Sequence, residues 1–154
     1  MSLNHISNKY LHGNFASLKI NDKLVGSTTK ENVYFSASLS TQGVNYLNAF
    51  SKGSGGSAGV LSKFPTFKNI KITGLFVHKN NPGPIVDVIL QKGSLVGTNI
   101  TDLHTFNLIA GTVADQIHTL DIPVSSTETI LVKTQTSGTG TVGDIQVSVI
   151  YEEV

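Results

Sequence analysis

The sequence contains no cysteine and, among its eleven basic residues, no arginine. The lack of cysteine excludes disulfides, thiolate zinc sites, iron–sulfur clusters and cysteine nucleophiles. Arginine supplies the planar fork that makes bidentate contacts with phosphate and guanine, and the lysines of this chain form no cluster. The sequence therefore predicts no nucleic-acid partner.

Charge and long apolar runs are also scarce. Charged residues occupy 14% of the 154 positions and the formal net charge is +1, so no long-range electrostatic steering is expected. No apolar run approaches the ~20 residues that a membrane helix needs. The first ten residues, MSLNHISNKY, lack the basic-then-apolar pattern of a secretion signal. We therefore expect a soluble protein with no membrane partner that is not exported by the general route.

What the chain does contain is a series of short extended runs separated by turn residues. Residues 33–39 and 145–151 each alternate between apolar and polar side chains, which is typical of half-buried strands. About eight such runs follow one another, and no long helical period is present. The pattern predicts an all-β fold, an antiparallel jelly-roll-like sandwich of about eight strands over residues 31–154. Residues 1–30 are predicted to form an N-terminal arm or a peripheral hairpin, in which SLKI and KLVG flank a turn.

The longest extended pattern covers residues 67–90 and predicts a hairpin. Two runs rich in Ile, Val and Phe flank the turn residues Asn80-Asn81-Pro82-Gly83. The residues expected to face the core are Ile70, Ile72, Phe76, Val86, Val88 and Leu90.

The opposite side of this hairpin is also apolar, which an antiparallel sheet with one wet face does not need. Its members are Leu75, Val77, Ile85 and Ile89. We interpret them as a candidate self-association face, since exposed apolar patches often mark subunit contacts. Two alternatives remain: the N-terminal arm covers the face, or a bulge at Gly74 switches the register.

Short motifs that resemble those of enzymes lack the structural context that the chemistry needs. Residues 138–143, GTGTVG, match the dinucleotide fingerprint but precede a strand, so we interpret them as a hairpin turn. Residues 55–59, GGSAG, match a nucleophile elbow but lie in a glycine–serine loop. The five histidines and ten acidic residues form no evident cluster, and His118 is interpreted as a core or interface histidine. We therefore expect no catalytic residue, no cofactor, no metal site and no enzyme activity.

The order of segments from Phe67 to Val154 resembles that of a known group of viral proteins. The segments are ITGLFVHK, VDVILQKGS, TFNLIAGT, IPVSSTETILVKTQTSGTG and DIQVSVIYEE. This order is similar to the small β-sandwich modules of tailed-phage virion proteins, namely capsid decoration (cement) proteins, head fibres and tail-fibre tips. The similarity lies in the residue types of the segments and in the strand order, and no functional residue is transferred from it.

The resemblance implies a structural protein of the virion. It implies a homo-oligomer, usually a trimer, that binds the major capsid protein or another virion protein. Such a protein is made in the host cytoplasm and stabilises the outer capsid surface. The alternative function is a receptor- or glycan-binding module of a phage fibre, for which the absence of tryptophan is unfavourable.

Overall fold

The computed structural model describes residues 18–20, 23–25, 30–39, 43–49, 63–117, 119–137 and 139–154. These residues form strands and loops and contain no helix, so none that is long and apolar enough to cross a membrane. The strands are β1 (Leu18–Ile20), β2 (Lys23–Val25), β3 (Lys30–Leu39), β4 (Val44–Tyr46), β5 (Asn48–Ala49), β6 (Phe64–Pro65), β7 (Ile70–Lys79), β8 (Ile85–Ser94), β9 (Ile100–Leu108), β10 (Ala114–Ile117), β11 (Ile122–Val124), β12 (Glu128–Ser137) and β13 (Gly143–Glu153).

Eleven of these strands form two antiparallel sheets that pack face to face. The first sheet has the order β10-β7-β13-β3-β5, and β11 continues the line of β10 along β7. The second sheet has the order β4-β12-β8-β9, and β6 adds two residues beside β12. The predicted all-β sandwich is therefore confirmed.

The strand pairing is that of one long antiparallel hairpin folded over into two layers, in which strands from the two ends of the chain pair in order. Counting β10 and β11 as one interrupted strand, and setting aside the two-residue strands β5 and β6, eight strand positions remain. The first pairs with the eighth (β3 with β13), the second with the seventh (β4 with β12), and the third with the sixth (β7 with β10 and β11). The fourth pairs with the fifth (β8 with β9). This is the jelly-roll arrangement that the sequence predicted.

The predicted hairpin between residues 67 and 90 is wrong. Its two runs are β7 and β8, which lie in opposite sheets and do not pair with each other. The intervening residues 80–84 carry the chain across the sandwich from one layer to the other. The local hairpin is the next one along, in which β8 pairs with β9 and Ser94 N–H donates to Asn99 C=O at 3.1 Å.

A bulge in β7 explains why both faces of this strand looked apolar. Opposite β13 the register shifts so that Gly74 pairs with Ile150 while Ile72 pairs with Tyr151, leaving Thr73 unpaired. The extra residue reverses the alternation, a property of β-bulges. Ile72 before the bulge and Leu75 after it therefore both point into the core. The register switch at Gly74 was one of the alternatives left open, and it applies to this strand.

The hydrophobic core fills the space between the two sheets. The alternation in β3 and β13 is confirmed, because every predicted inward residue of both strands is buried. These residues are Val33, Phe35, Ala37, Leu39, Ile145, Val147, Val149 and Tyr151. Phe76, by contrast, was predicted to face the core and is 39% exposed, because it follows the bulge.

The N-terminal segment is described only in part. Strands β1 and β2 pair antiparallel with Ile20 opposite Lys23, as the sequence predicted for SLKI and KLVG. They form a two-stranded sheet of their own. Residues 1–17, 21–22 and 26–29 lie outside the described residues, so the division into an arm (1–30) and a sandwich (31–154) stays a prediction.

One end of the sandwich encloses a lysine between the sheets. Lys79, the last residue of β7, is 0% exposed. Its Nζ donates to the carbonyls of Pro84 at 2.7 Å and Gly83 at 3.3 Å, and no ion pair involves it among the described residues. Burial lowers the pKa of this amine below its usual value of 10.5, because the charged form loses water without gaining a carboxylate.

We expect this lysine to make the protein more stable as the pH rises toward 10.5. Between the lowered pKa of the folded state and the ordinary pKa of the unfolded state, the unfolded chain binds more protons, so the free energy of unfolding increases with pH. Replacing Lys79 with Met removes this pH-dependent contribution to the free energy of unfolding. Urea unfolding measures the free energy of unfolding of both proteins from pH 7 to pH 10. Over this range the value for the wild type should rise relative to that for the variant. A difference that stays constant over this range would contradict the prediction.

Candidate interaction surfaces

The four residues of the predicted self-association face do not lie on one surface. Leu75 and Val77 are 1% and 0% exposed and belong to the core between the sheets. Ile85 and Ile89 lie on the outer face of the second sheet, since their neighbours Val86 and Val88 point into the core. The prediction of a shared face is therefore wrong, and its cause is the bulge in β7. Self-association itself stays a prediction.

Only one of the two outward residues is accessible. Ile85 is 37% exposed, but Ile89 is 6% exposed and so is covered by the chain's own residues. Leu131, on the neighbouring strand β12, is 0% exposed and lies outside the core cluster in the same way. The outer face of the second sheet is therefore already covered at Ile89 and Leu131 within the single chain.

The outer face of the first sheet is a better surface for an interaction. Ser148 in the central strand β13 has Phe76 of β7 as its partner on one side and Tyr34 of β3 on the other. The two aromatic side chains are 39% and 52% exposed, whereas Ser148 between them is 8% exposed. We call these three residues the aromatic row.

The rows on either side of the aromatic row contain no lysine, aspartate or glutamate. One contains Ser36, Gln146 and His78, and the other contains Asn32 and Ile150. Charged residues first appear one row further out, at Lys30, Glu152 and Lys71 on one side and at Asp144 on the other. The two exposed rings are therefore separated from the lysines and acidic residues of this face by a row without them, which suits the burial of aromatic surface against a partner.

Sequence reasoning missed this surface, although its members are visible in the printed sequence. Tyr34 was assigned correctly to the polar side of β3, but Phe76 was assigned to the core. The two residues belong together only because β13, more than 65 residues after either of them, lies between their strands. Strand periodicity gives no access to such a pairing.

No arrangement typical of a metal site appears among the described residues. In that part of the chain no three His, Asp or Glu side chains come together in a way that could hold a metal ion. Of the motifs considered from the sequence, residues 55–59 lie outside the described residues, as do His5, His12 and His118. In the segment 138–143, Gly143 begins β13 and no helix follows among the described residues, so the segment lacks the context of a dinucleotide site. The predicted hairpin turn is also wrong, because β12 and β13 lie in opposite sheets and the segment carries the chain from one layer to the other.

Two side-chain contacts fasten the margins of the first sheet. Tyr151 Oη donates to Glu31 Oε2 at 2.9 Å, which ties the end of β13 to the start of β3. Burial, together with this hydrogen bond and the nearby carboxylate charge, raises the pKa of Tyr151 to about 12. At the opposite margin Asn80 Nδ2 donates to Asp144 Oδ2 at 2.9 Å, and Asp144 N–H donates to Asn80 Oδ1 at 2.8 Å. The aromatic row thus lies on a sheet that is held at both ends.

Comparison with known proteins finds only distant structural similarity. No family model matches the chain, and no curated protein matches it. Similar solved structures include one of infectious bursal disease virus, Gt strain, at 11% identity and a TM-score of 0.34, which covers 85% of this chain and 34% of that chain. Another is of the Gx strain, at 12% identity and a TM-score of 0.30, covering 85% of this chain and 39% of that chain.

The chain thus spans little more than a third of the length of the two viral chains that it matches. At these TM-scores the likeness carries no argument about function, and neither structure is of a tailed phage. The resemblance to phage modules in particular stays a prediction. Both of these solved structures are viral, and the fold assignment rests on the strand pairing of the chain itself.

Proposed function

We propose that the chain is a structural component of a virus particle that acts by association and carries out no reaction. In this proposal it binds copies of itself, as a trimer, and binds the major capsid protein on the outer surface of the shell. The observation that carries the proposal is the aromatic row, with Tyr34 and Phe76 exposed on the outer face of the first sheet. A lone sandwich gains nothing from holding two large apolar rings in water.

The rest of the surface supports the same role. A net charge of +1 and a charged fraction of 14% leave a skin of Ser, Thr, Asn, Gln and Gly. Such a surface produces no strong field that would draw nucleic acid or an anionic membrane. A protein that covers a shell needs many weak and simultaneous contacts rather than one tight site, because several linked contacts reinforce one another.

We expect the double variant Tyr34→Ser/Phe76→Ser to lose self-association while the protomer stays folded. Both side chains point outward, so their loss removes interface area and leaves the core between the sheets intact. Light scattering after size-exclusion chromatography should give the mass of three chains for the wild type and of one chain for the variant. Capsid shells stripped of the protein should rebind the wild type and bind the variant weakly.

The matched control is Val44→Ser, which removes an apolar side chain that is 55% exposed on the outer face of the second sheet. It should leave the mass and the shell binding unchanged. A wild-type protein that is monomeric at all concentrations and has no affinity for shells would overturn the proposal. If the control and the double variant lose self-association equally, the interface does not lie at the aromatic row.

A further inference from the structure

The end of the sandwich where β8 passes into β9 contains an open cleft of about 240 Å³. It is lined by Lys92, Ser94, Asn99, Thr101, Thr127 and Glu128, together with Gly93. All of these side chains are polar, whereas the space between the sheets a few ångströms away is lined by Leu90 and Ile130. The cleft is the mouth of the sandwich, beyond the last layer of the core.

Strand register explains why the polar groups converge there. Leu90 points into the core, so Lys92 and Ser94 lie on the same inner face of β8. Thr101 is the direct partner of Lys92 on β9, and Glu128 is the direct partner of Ser94 on β12. On β8 and β9 the inner face becomes polar at Lys92 and Thr101, whereas β12 becomes polar one inner-face position further on, at Glu128, because Ile130 is the direct partner of Lys92.

The charges in the cleft are balanced. Lys92 Nζ lies 2.9 Å from Glu128 Oε1, and Ser125 N–H donates to Glu128 Oε2 at 2.8 Å. Burial alone would raise the pKa of Glu128, but these two partners outweigh it and hold the pKa below its usual value. The carboxylate therefore stays ionised at neutral pH and neutralises the lysine. A negatively charged ligand would meet this carboxylate at close range.

Several other polar groups in the cleft have unused capacity for hydrogen bonds. In the part of the chain that the structure describes, no hydrogen bond engages the side chains of Ser94, Asn99 or Thr101. Lys63 Nζ donates to the carbonyls of Ser94 at 3.2 Å and Gly97 at 2.7 Å, which fixes the turn above the cleft without entering it. Two hydroxyls, an amide and a balanced ion pair thus face one small volume.

We infer that this cleft binds a single neutral sugar residue. A pyranose presents closely spaced hydroxyls that both donate and accept, which matches the mixture of ammonium, carboxylate, hydroxyl and amide groups. The volume is below the ~300–1,000 Å³ of sites for drug-sized ligands, so the site accommodates one ring. Because no aromatic side chain lines it, the affinity is weak, with a Kd on the order of millimolar. This activity goes beyond the structural role proposed above and does not depend on it.

The test is a titration of the isotope-labelled full chain followed by amide chemical shifts. The probes are the methyl glycosides of glucose, galactose and N-acetylglucosamine, with glycerol, inorganic phosphate and N-acetylneuraminic acid as comparisons. At least one methyl glycoside should give saturable shifts at the amides of Ser94, Asn99, Thr101 and Thr127. The corresponding free reducing sugars are titrated as well. Comparing their binding with that of the methyl glycosides distinguishes a site for a free monosaccharide from a site for the end of a glycan chain.

Two variants assign the binding to this cleft. Thr101→Val replaces the hydroxyl by a methyl group of similar shape and should weaken binding about five- to tenfold, as should Asn99→Ala. Thr105→Val is the matched control, because Thr105 is exposed on the same strand but pairs with Ile89, away from the cleft. It should leave the affinity unchanged.

Three outcomes would overturn the inference. One is the absence of any shift with neutral sugars up to about 50 mM, well above the millimolar range. Another is a response to phosphate or N-acetylneuraminic acid alone, which would make the cleft an anion site. The third is a shift that never saturates and is equal for glycerol, which would indicate an adventitious additive only.

Discussion

The variant Val77→Asn is expected to lose most of its stability, whereas Phe76→Asn, one position earlier on the same strand, is expected to fold normally. Val77 is 0% exposed in the core between the sheets. An amide there loses the apolar contacts of the valine and is left without water or a partner, which together cost about 3–5 kcal/mol. That is a large part of the ~5–15 kcal/mol by which domains of this size are stable.

The matched variant differs only in the face that it changes. Phe76 points away from the core and is 39% exposed, so its replacement should change the free energy of unfolding by at most about 1 kcal/mol. Urea unfolding followed by far-ultraviolet circular dichroism measures both variants. A Val77→Asn protein as stable as Phe76→Asn would show that the register switch at Gly74 is absent and that the first interpretation of this strand was correct.

The variant Gly143→Ala is expected to destabilise the protein by about 3 kcal/mol. Gly143 begins β13 with a φ of +75°, a region that costs a residue with a side chain about 1–2 kcal/mol. In addition, a Cβ at this position would lie 2.3 Å from Asn80 Oδ1. That oxygen accepts the Asp144 N–H at 2.8 Å, so it cannot retreat without weakening a hydrogen bond worth about 1 kcal/mol.

Gly111→Ala separates the two contributions. Its φ of +87° imposes a similar backbone cost, but nothing lies within 4 Å of the added Cβ. We therefore expect a loss of only about 1–2 kcal/mol at this position. If thermal or urea unfolding shows that the two variants lose equal free energy of unfolding, the close approach between Gly143 and Asn80 contributes nothing to the cost of the added Cβ.

The sequence predicted those parts of the fold in which a strand obeys strict alternation. Val33 to Leu39 and Ile145 to Tyr151 show period two without interruption, and both strands lie in the structure as predicted. The jelly-roll arrangement followed from the number of such runs and from their turns. The two-residue strands β5 and β6 are too short for any period and were not predicted.

What the sequence did not predict depended on register. The bulge at Thr73 moves Leu75 and Val77 into the core and Phe76 out of it, and a single run of letters is compatible with either arrangement. The hairpin error has the same origin, since a turn between two apolar runs does not say whether they pair edge to edge or cross between layers. The cleft was missed because Lys92 and Glu128 are 36 positions apart and meet only through the alignment of β8 with β12.

The place of β13 in the first sheet has a consequence for how the chain is made. This strand lies between β3 and β7, and it is the last strand in the chain. During synthesis β3 and β7 therefore leave the ribosome long before the strand that joins them. Until residues 143–153 emerge, each presents an unpaired edge and an uncovered apolar face, the two features that promote aggregation of incomplete chains. The first sheet therefore stays incomplete until β13 itself has been synthesised.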